Sequence, residues 1–263
     1  MEKLYVIKIG GKVVEDDTGL PEFLEDFARV PGKKILVHGG GKWVTEMSRK
    51  LGIEVKMVDG RRITDSDTLE VVKMMLAGVA NKNVVALLQG YGCNAIGMTG
   101  ADGNMIRAHK RPLRSGIDYG FVGDIDEVNS AGFKDILKSG FVPVLTAMTH
   151  DGNGQLFNTN ADTIAQSIGV AMAGDYEVEI FYCFEMPGVL TEIKRKDSLI
   201  EVITKSSYKE LKEKGVIVEG MIPKIDNAYE ALEHGVQKVH ICHFNDIKKL
   251  ASGTSNIGTV ILE

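Results

Sequence analysis

Two lysines occupy positions that folding alone explains poorly. Lys8 stands inside the apolar run Leu4–Ile9, shortly before Gly10-Gly11. An ammonium in such a run normally snorkels to solvent; beside a glycine turn it can instead meet a phosphate. Lys224 follows Gly220-Met221-Ile222-Pro223, just inside a helix start marked by the proline. The positive end of a helix disfavours a cation there, which hints at a partner anion. A third cluster, Asn158-Thr159-Asn160-Ala161-Asp162, gathers amides and an acid at another helix start. Capping accounts for one of them but not for all.

Gly10-Gly11-Lys12 and Gly39-Gly40-Gly41-Lys42 each follow an apolar, strand-like run. In α/β sheets, ligands bind outside the carboxyl ends of strands. Glycines there bare backbone N–H groups, and a following helix adds its positive end. Both loops are candidate anion cradles. Neither is a P-loop, since GxxxxGK[ST] is absent, as are GxGxxG and the HRD and DFG signatures.

The elements that must position these residues alternate. Leu4–Ile9 and Lys34–Val37 read as strands, and Trp43, Val44, Met47 and Leu51 recur at helical spacing. Val55–Val58 and Arg62–Thr64 flank Asp59-Gly60 as a hairpin. Asp65 or Asp67 caps a helix whose face uses Leu69, Val72, Met75 and Leu76 and which resumes through Leu88. Short strands follow at Ala95–Thr99, Met105–Ala108, Gly120–Ile125 and Phe141–Leu145. Helices follow around Phe133–Leu137 and Ala161–Ile168, then a strand at Val178–Phe181. Helices at Tyr208–Lys214 and Lys224–Glu233 precede strands at Val239–Ile241 and Thr259–Leu262. This alternation predicts an α/β fold, a three-layer αβα sandwich with a largely parallel central sheet. With no Pro- or Ser-rich linker, two lobes sharing one sheet are expected: 1–175 and 176–263.

The 263 residues carry 31 Lys+Arg against 36 Asp+Glu, a net charge of −5, which makes a general nucleic-acid or membrane-surface binder a poor expectation. Glycine, at 30 residues, is in excess. Cys93, Cys183 and Cys242 are too far apart for a CxxC pair and read as buried free thiols in a reducing compartment. No signal peptide and no apolar run of membrane-spanning length are evident, so a cytoplasmic protein is expected. His38, His150, Met74 and Met75 read as structural.

Together the segments Lys8-Ile9-Gly10-Gly11, Val37–Gly41, Gly60–Thr64, Gly120–Gly123, Asn158–Asp162, Gly220–Lys224 and Gly258-Thr259 resemble, in order and over nearly the whole chain, the amino acid kinase family, most closely its N-acetylglutamate kinase branch. The resemblance implies an ATP-dependent phosphorylation of the γ-carboxylate of an N-acyl-L-glutamate. It implies that Lys8 and Lys224 stabilise the transition state and that Asp162 lies between them and orients both. Gly40 and Gly41 would hold the substrate through their N–H groups, Arg62 its α-carboxylate, and Asn158 its other side. Gly10, Gly11, Gly188 and Met221 would line the nucleotide and phosphoryl path. Mg²⁺ would ride on ATP with few protein ligands. The first lobe would bind the acyl amino acid and the second the nucleotide.

One segment departs from the resemblance. After Val178–Phe181 a small hydroxyl or an Asp-containing turn is expected, and the chain instead has Tyr182-Cys183-Phe184-Glu185-Met186. Aspartokinase and glutamate 5-kinase would carry C-terminal additions beyond Glu263, and carbamate kinase lacks the Arg62 hairpin; uridylate kinase is the remaining rival. An N-succinyl substrate, accommodated near Val122, and a catalytically weak ligand sensor on the same fold are the alternatives. Because Lys8 already lies in the first strand, an arginine-insensitive homodimer is expected, with Leu69, Val72 and Leu76 at the contact.

Overall fold

The computed structural model describes residues 1–58, 60–192, 195, 197–217, 221–254 and 256–263. Asp59 of the expected hairpin turn and Gly220 of the Gly-Met-Ile-Pro-Lys segment lie outside them.

The strands, in chain order, are β1 (Lys3–Ile9), β2 (Lys33–His38), β3 (Met57–Val58), β4 (Arg61–Arg62), β5 (Ala95–Met98), β6 (Ile106–Lys110), β7 (Gly123–Val128), β8 (Val142–Thr146), β9 (Met148–His150), β10 (Leu156–Asn158), β11 (Glu177–Phe184), β12 (Val202–Ile203), β13 (Lys238–His243) and β14 (Thr259–Ile261). Among the described residues, eight form one sheet in the order β12-β14-β13-β11-β1-β2-β8-β5. Its pairings are parallel except β13 with β14. Strands from before and after residue 175 therefore meet at β1–β11 within a single sheet. A four-stranded sheet, β10-β9-β6-β7, and the β3–β4 ribbon sit beside it.

Parallel strands are covered on both faces, and the alternation along β1 shows how. Leu4 and Val6 pack with Ile164, Ala165 and Ile168 of the helix Ala161–Met172 and with Ala228 and Leu232 of the helix Ile222–Glu233. Tyr5, Ile7 and Ile9 pack on the other side with Phe23 and Phe27 of the helix Gly19–Arg29, with Val84 and Leu88, and with Ile247 and Leu250. The helix Gly19–Arg29, whose Leu20, Phe23, Leu24 and Phe27 are buried, is an element the expectations above do not contain.

The helix that begins at Ser66, capped by Asp65 through the Thr68 N–H, continues without a break to Gly90. Its middle, Lys73–Ala80, is π-helical, which resets which residues face the sheet. Its 25 residues and a hydropathy of 1.5 over an 18-residue window are enough to cross a bilayer, contrary to the expectation that no such segment exists. Here Leu69, Val71, Val72, Leu76, Ala80, Val84 and Leu88 are buried in the chain's own core. That also corrects the dimer expectation: Leu69, Val72 and Leu76 face inward, and Met74 and Val79 are exposed. Met75 is core, whereas Met74 is not.

Other differences are local. The hairpin is shorter than expected, pairing only Met57–Val58 with Arg61–Arg62. The turn after Thr149 joins two strands, β9 and β10, paired antiparallel. Where a turn was expected after Phe181, β11 runs on through Tyr182 and Cys183 to Phe184. All three cysteines are buried and unbridged, with Cys183 Sγ 3.7 Å from Cys242 Sγ across β11–β13.

Candidate active site

Lys8 continues the series Leu4, Val6, Lys8 on one face of β1, so it is aimed at the layer that holds the helix Ala161–Met172. Its Nζ lies 2.7 Å from Asp162 Oδ1 in the first turn of that helix. Lys224, in the first turn of the helix Ile222–Glu233, donates from Nζ to Asp162 Oδ2, also at 2.7 Å. Asn160 caps the Ala161 helix by accepting from the Asp162 N–H at 2.7 Å, which fixes the carboxylate's backbone. Burial alone would raise the Asp162 carboxyl. The two ammonium groups beside it more than reverse that and hold it well below the usual carboxylate range. Asp162 is thus an anchor for charge rather than a proton carrier. Each ammonium has three donors, and one carboxylate oxygen occupies one of them.

The two glycine loops meet beyond the C-terminal ends of β1 and β2. A Cβ at Gly11 would lie 3.5 Å from the Gly41 nitrogen and 3.6 Å from that of Gly40, so the loops are in contact. Gly10 gives its own N–H to Cys183 O at 2.9 Å, which leaves Gly11 as the donor of that pair. Gly40 has φ of +150°, and a Cβ there would stand 2.9 Å from Leu76 Cδ2. Of the amides opening the helix Gly41–Lys50, those of Lys42 and Trp43 both donate to Glu15 Oε1, at 2.9 and 3.0 Å. Burial pushes the Glu15 carboxyl up against the pull of these two bonds. With Glu15 in place, an arriving anion meets the Gly40 and Gly41 N–H groups rather than the whole helix end.

Beside the loops lies a cavity of ≈ 260 Å³ lined by Gly40, Gly41, Arg62, Arg111, Val122 and Asn158, among others. It reaches Ala161 and Thr163, on either side of Asp162. Arg62 is steadied by bonds from Nη2 to Gly41 O at 2.8 Å and to Thr45 Oγ1 at 2.7 Å. Its Nη1 is buried with no partner among the described residues. A buried guanidinium N–H without an acceptor calls for one, and a planar carboxylate matches it. Desolvation also pulls the Arg62 pKa down from its ordinary value. Asn158 donates from Nδ2 to Thr64 Oγ1 at 3.1 Å. Arg61 is exposed, although it too borders the cavity. Among the described residues no group of three or more His, Cys, Asp or Glu could hold a metal ion.

The amino acid kinase family matches the chain over residues 3–243. The chain belongs to the amino acid kinase family. It is 50% identical over 262 residues to the acetylglutamate kinase of Cytophaga hutchinsonii, covering 100% of this chain and 99% of that one. It is 49% identical to the acetylglutamate kinase of Phocaeicola vulgatus, over 96% and 98% of the two chains. Among solved structures, smu.665 from Streptococcus mutans shares 27% identity at a TM-score of 0.76, with 98% of each chain covered.

In this amino acid kinase the expected residues divide by location. Lys8 and Lys224 are both joined to Asp162, while Gly40, Gly41, Arg62 and Asn158 line the cavity. Gly11 lies against the Gly40 and Gly41 nitrogens. Gly188 is buried; a Cβ on it would come within 2.6 Å of Thr259 Oγ1 and Leu199 Cδ1, so close packing accounts for that glycine. Met221 precedes the Lys224 helix and packs on the core. Two residues come into the site without any local signal in the sequence. Glu15 caps a helix 27 residues away, and Arg111 reaches the cavity wall held by Asp124 at 2.6 and 2.9 Å.

Proposed function

We propose that this amino acid kinase transfers the γ-phosphoryl group of ATP to the γ-carboxylate of N-acetyl-L-glutamate, giving N-acetyl-L-glutamyl 5-phosphate for arginine biosynthesis. The observation that carries this reading is the Lys8–Asp162–Lys224 cluster, two lysines from different elements joined by one carboxylate beside an arginine-lined cavity. The name shared by relatives at about half identity supports it.

A side-chain carboxylate, with pKa near ~4.3, is already an anionic nucleophile at pH 7 and needs no general base. The barrier is the approach of one anion to another. Residues that position charge and neutralise it are then sufficient machinery. Arg62 and Asn158 orient the acyl amino acid, and the Gly40 and Gly41 N–H groups hold it against the first glycine loop. Gly10, Gly11, Gly188 and Met221 border the path of the nucleotide. Lys8 and Lys224 meet the charge that develops on the transferred group, and Asp162 keeps both from swinging away. Mg²⁺ fits as a passenger on the ATP phosphates, since Asp162 is committed to its lysines. In this reading residues 1–175 bind the acyl amino acid and 176–263 the nucleotide. The protein acts in the cytoplasm, where its three unbridged thiols stay reduced. It needs neither nucleic acid nor membrane, and it works as a homodimer, for which the exposed Met74 and Val79 offer contact area.

An N-succinyl substrate is the second reading, favoured by Arg111. That guanidinium lines the cavity in addition to Arg62 and would suit a further carboxylate on the acyl group. The test is hydroxylamine trapping of the acyl phosphate with Mg-ATP and N-acetyl-, N-succinyl- or free glutamate. Turnover of N-acetylglutamate above both others is expected. Preference for the succinyl compound selects the second reading, and equal turnover of free glutamate sinks both.

A further inference from the structure

The segment that departs from the resemblance surrounds one of the two lysines. Tyr182 and Phe184 are two residues apart on β11, so both side chains project from the same face, the one that carries Val178 and Ile180 against the Lys224 helix. Lys224 Nζ stands 5.9 Å from the centroid of the Tyr182 ring and 5.9 Å from that of Phe184. Tyr182 is fully buried and its hydroxyl donates to the Asp162 carbonyl at 3.4 Å, which ties the ring to the same helix turn that holds the carboxylate. Phe184 is half-buried at the end of the strand.

We propose that Tyr182 and Phe184 are positioning residues for Lys224: two aromatic rings that hold its ammonium electrostatically while leaving the N–H donors that Asp162 does not take free for the transferred phosphoryl group. This rests on the kinase reading above and adds to it the means by which one lysine is aimed. The physical difference from a hydroxyl or carboxylate in that place is directional. An oxygen acceptor would take one of the three ammonium protons, and Asp162 already takes another. A ring face attracts the cation through its quadrupole without claiming a particular proton. The rings also stand on a strand paired on both sides, by β1 and β13, whereas Lys224 sits in the first turn of a helix, where fraying concentrates.

The experiment compares wild type with Phe184→Leu, which keeps an apolar side chain and removes the ring, and Phe184→Tyr, which keeps the ring. Steady-state rates with ATP and N-acetylglutamate are paired with the ¹³Cε resonance of Lys224, assigned with Lys224→Arg. Phe184→Leu should lower kcat about 3- to 20-fold, the range of a partly desolvated cation–π contact. KM for N-acetylglutamate should stay within about twofold, and the Lys224 resonance should lose the part of its ring-current shift that Phe184 contributes. Phe184→Tyr should restore both. The proposal is overturned by a Phe184→Leu enzyme with wild-type kcat, or by a Phe184→Tyr enzyme as slow as Phe184→Leu. It is equally overturned if the loss lies wholly in KM for ATP, which would make Phe184 a nucleotide contact. If wild type fails to phosphorylate N-acetylglutamate at all, the kinase reading fails; the resonance then decides separately whether the rings hold Lys224.

Discussion

Lys8 and Lys224 bond the same carboxylate at the same 2.7 Å, yet they are held in opposite ways. Lys8 belongs to β1, which is paired in parallel along its length with β11 on one side and β2 on the other. Its backbone is fixed by the sheet, and its direction follows from the Leu4, Val6, Lys8 alternation. Lys224 belongs to a helix start, with Asp162 at its tip and two rings along its side. A lysine in mid-sheet inherits its aim from the backbone. A lysine at a helix end needs side chains to supply it. In the proposed reaction, two cations meeting one developing charge would therefore draw on two kinds of rigidity, and each can be broken separately.

The largest effects should come from removing the cations themselves. Lys8→Ala and Lys224→Ala should each lower kcat by ~10²–10³-fold with a much smaller change in KM, because a donor aimed at developing charge acts mainly in the transition state. The conservative changes should separate the two arms. Lys8→Arg, confined by strands on both sides, should rescue little. Lys224→Arg should recover more, since guanidinium also stacks on aromatic rings. Initial rates over a grid of both substrates measure this, and equal rescue at the two positions would erase the contrast drawn between them.

Arg62 comes next and should behave differently from both. Its two Nη2 bonds belong to the ground-state scaffold, and in the proposed reaction its Nη1, unpartnered among the described residues, meets a ligand bound before the chemistry begins. Arg62→Ala should raise KM for the acyl amino acid roughly 10- to 100-fold, the value of a charged hydrogen bond, and leave kcat within a few-fold. A fall in kcat as deep as that of the lysine variants would place Arg62 with the reacting group instead.

What the sequence discloses follows the same division. Lys8, Asp162 and Lys224 are visible because each is a charge where local rules disfavour one or fail to explain it. The glycine loops are visible because a glycine after a strand is punctuation. Glu15 is not, because an acid shortly after a glycine turn looks solvated until the fold brings the Gly41 helix to it. Arg111 is hidden for the same reason: its meaning comes from Asp124, on a neighbouring strand. The dimer face assigned to Leu69, Val72 and Leu76 failed because helical periodicity says that a face is covered and not what covers it. The helix Gly19–Arg29 is absent from the expectations although its Leu20, Phe23, Leu24, Phe27 face has helical spacing. The π-helical turn at Lys73–Ala80 was not legible, since it arises from packing. Tyr182 and Phe184 read as a deviation only because their partner lies forty residues on.

The smallest effect concerns stability rather than rate, and it belongs to the strand-held arm alone. His38 ends β2, opposite Ile9 of β1, and leads into the second glycine loop. It is fully buried, with Nδ1 2.9 Å from Gly39 O and Nε2 3.1 Å from Asn81 Nδ2. Only one tautomer satisfies both contacts: Nδ1–H donates to the carbonyl, and Nε2 accepts from the amide. A second proton would face the Asn81 donor inside the core, and burial accordingly lowers the His38 pKa from 6.5 to about 4. The unfolded chain thus binds a proton at a pH where the folded chain does not. Stability from this group is complete above pH 6.5, falls as pH drops from there toward about 4, and changes no further below. The loss at pH 5 should be about 2 kcal/mol. Urea unfolding at pH 7 and pH 5 should show that decrement in wild type and its reduction in His38→Gln, whose side chain can still donate and accept. Phe184 lies on β11 and touches none of the groups that bond His38, so Phe184→Leu should keep the full wild-type decrement. A His38→Gln protein that loses as much stability as wild type over the same interval would show that His38 is not the group responsible.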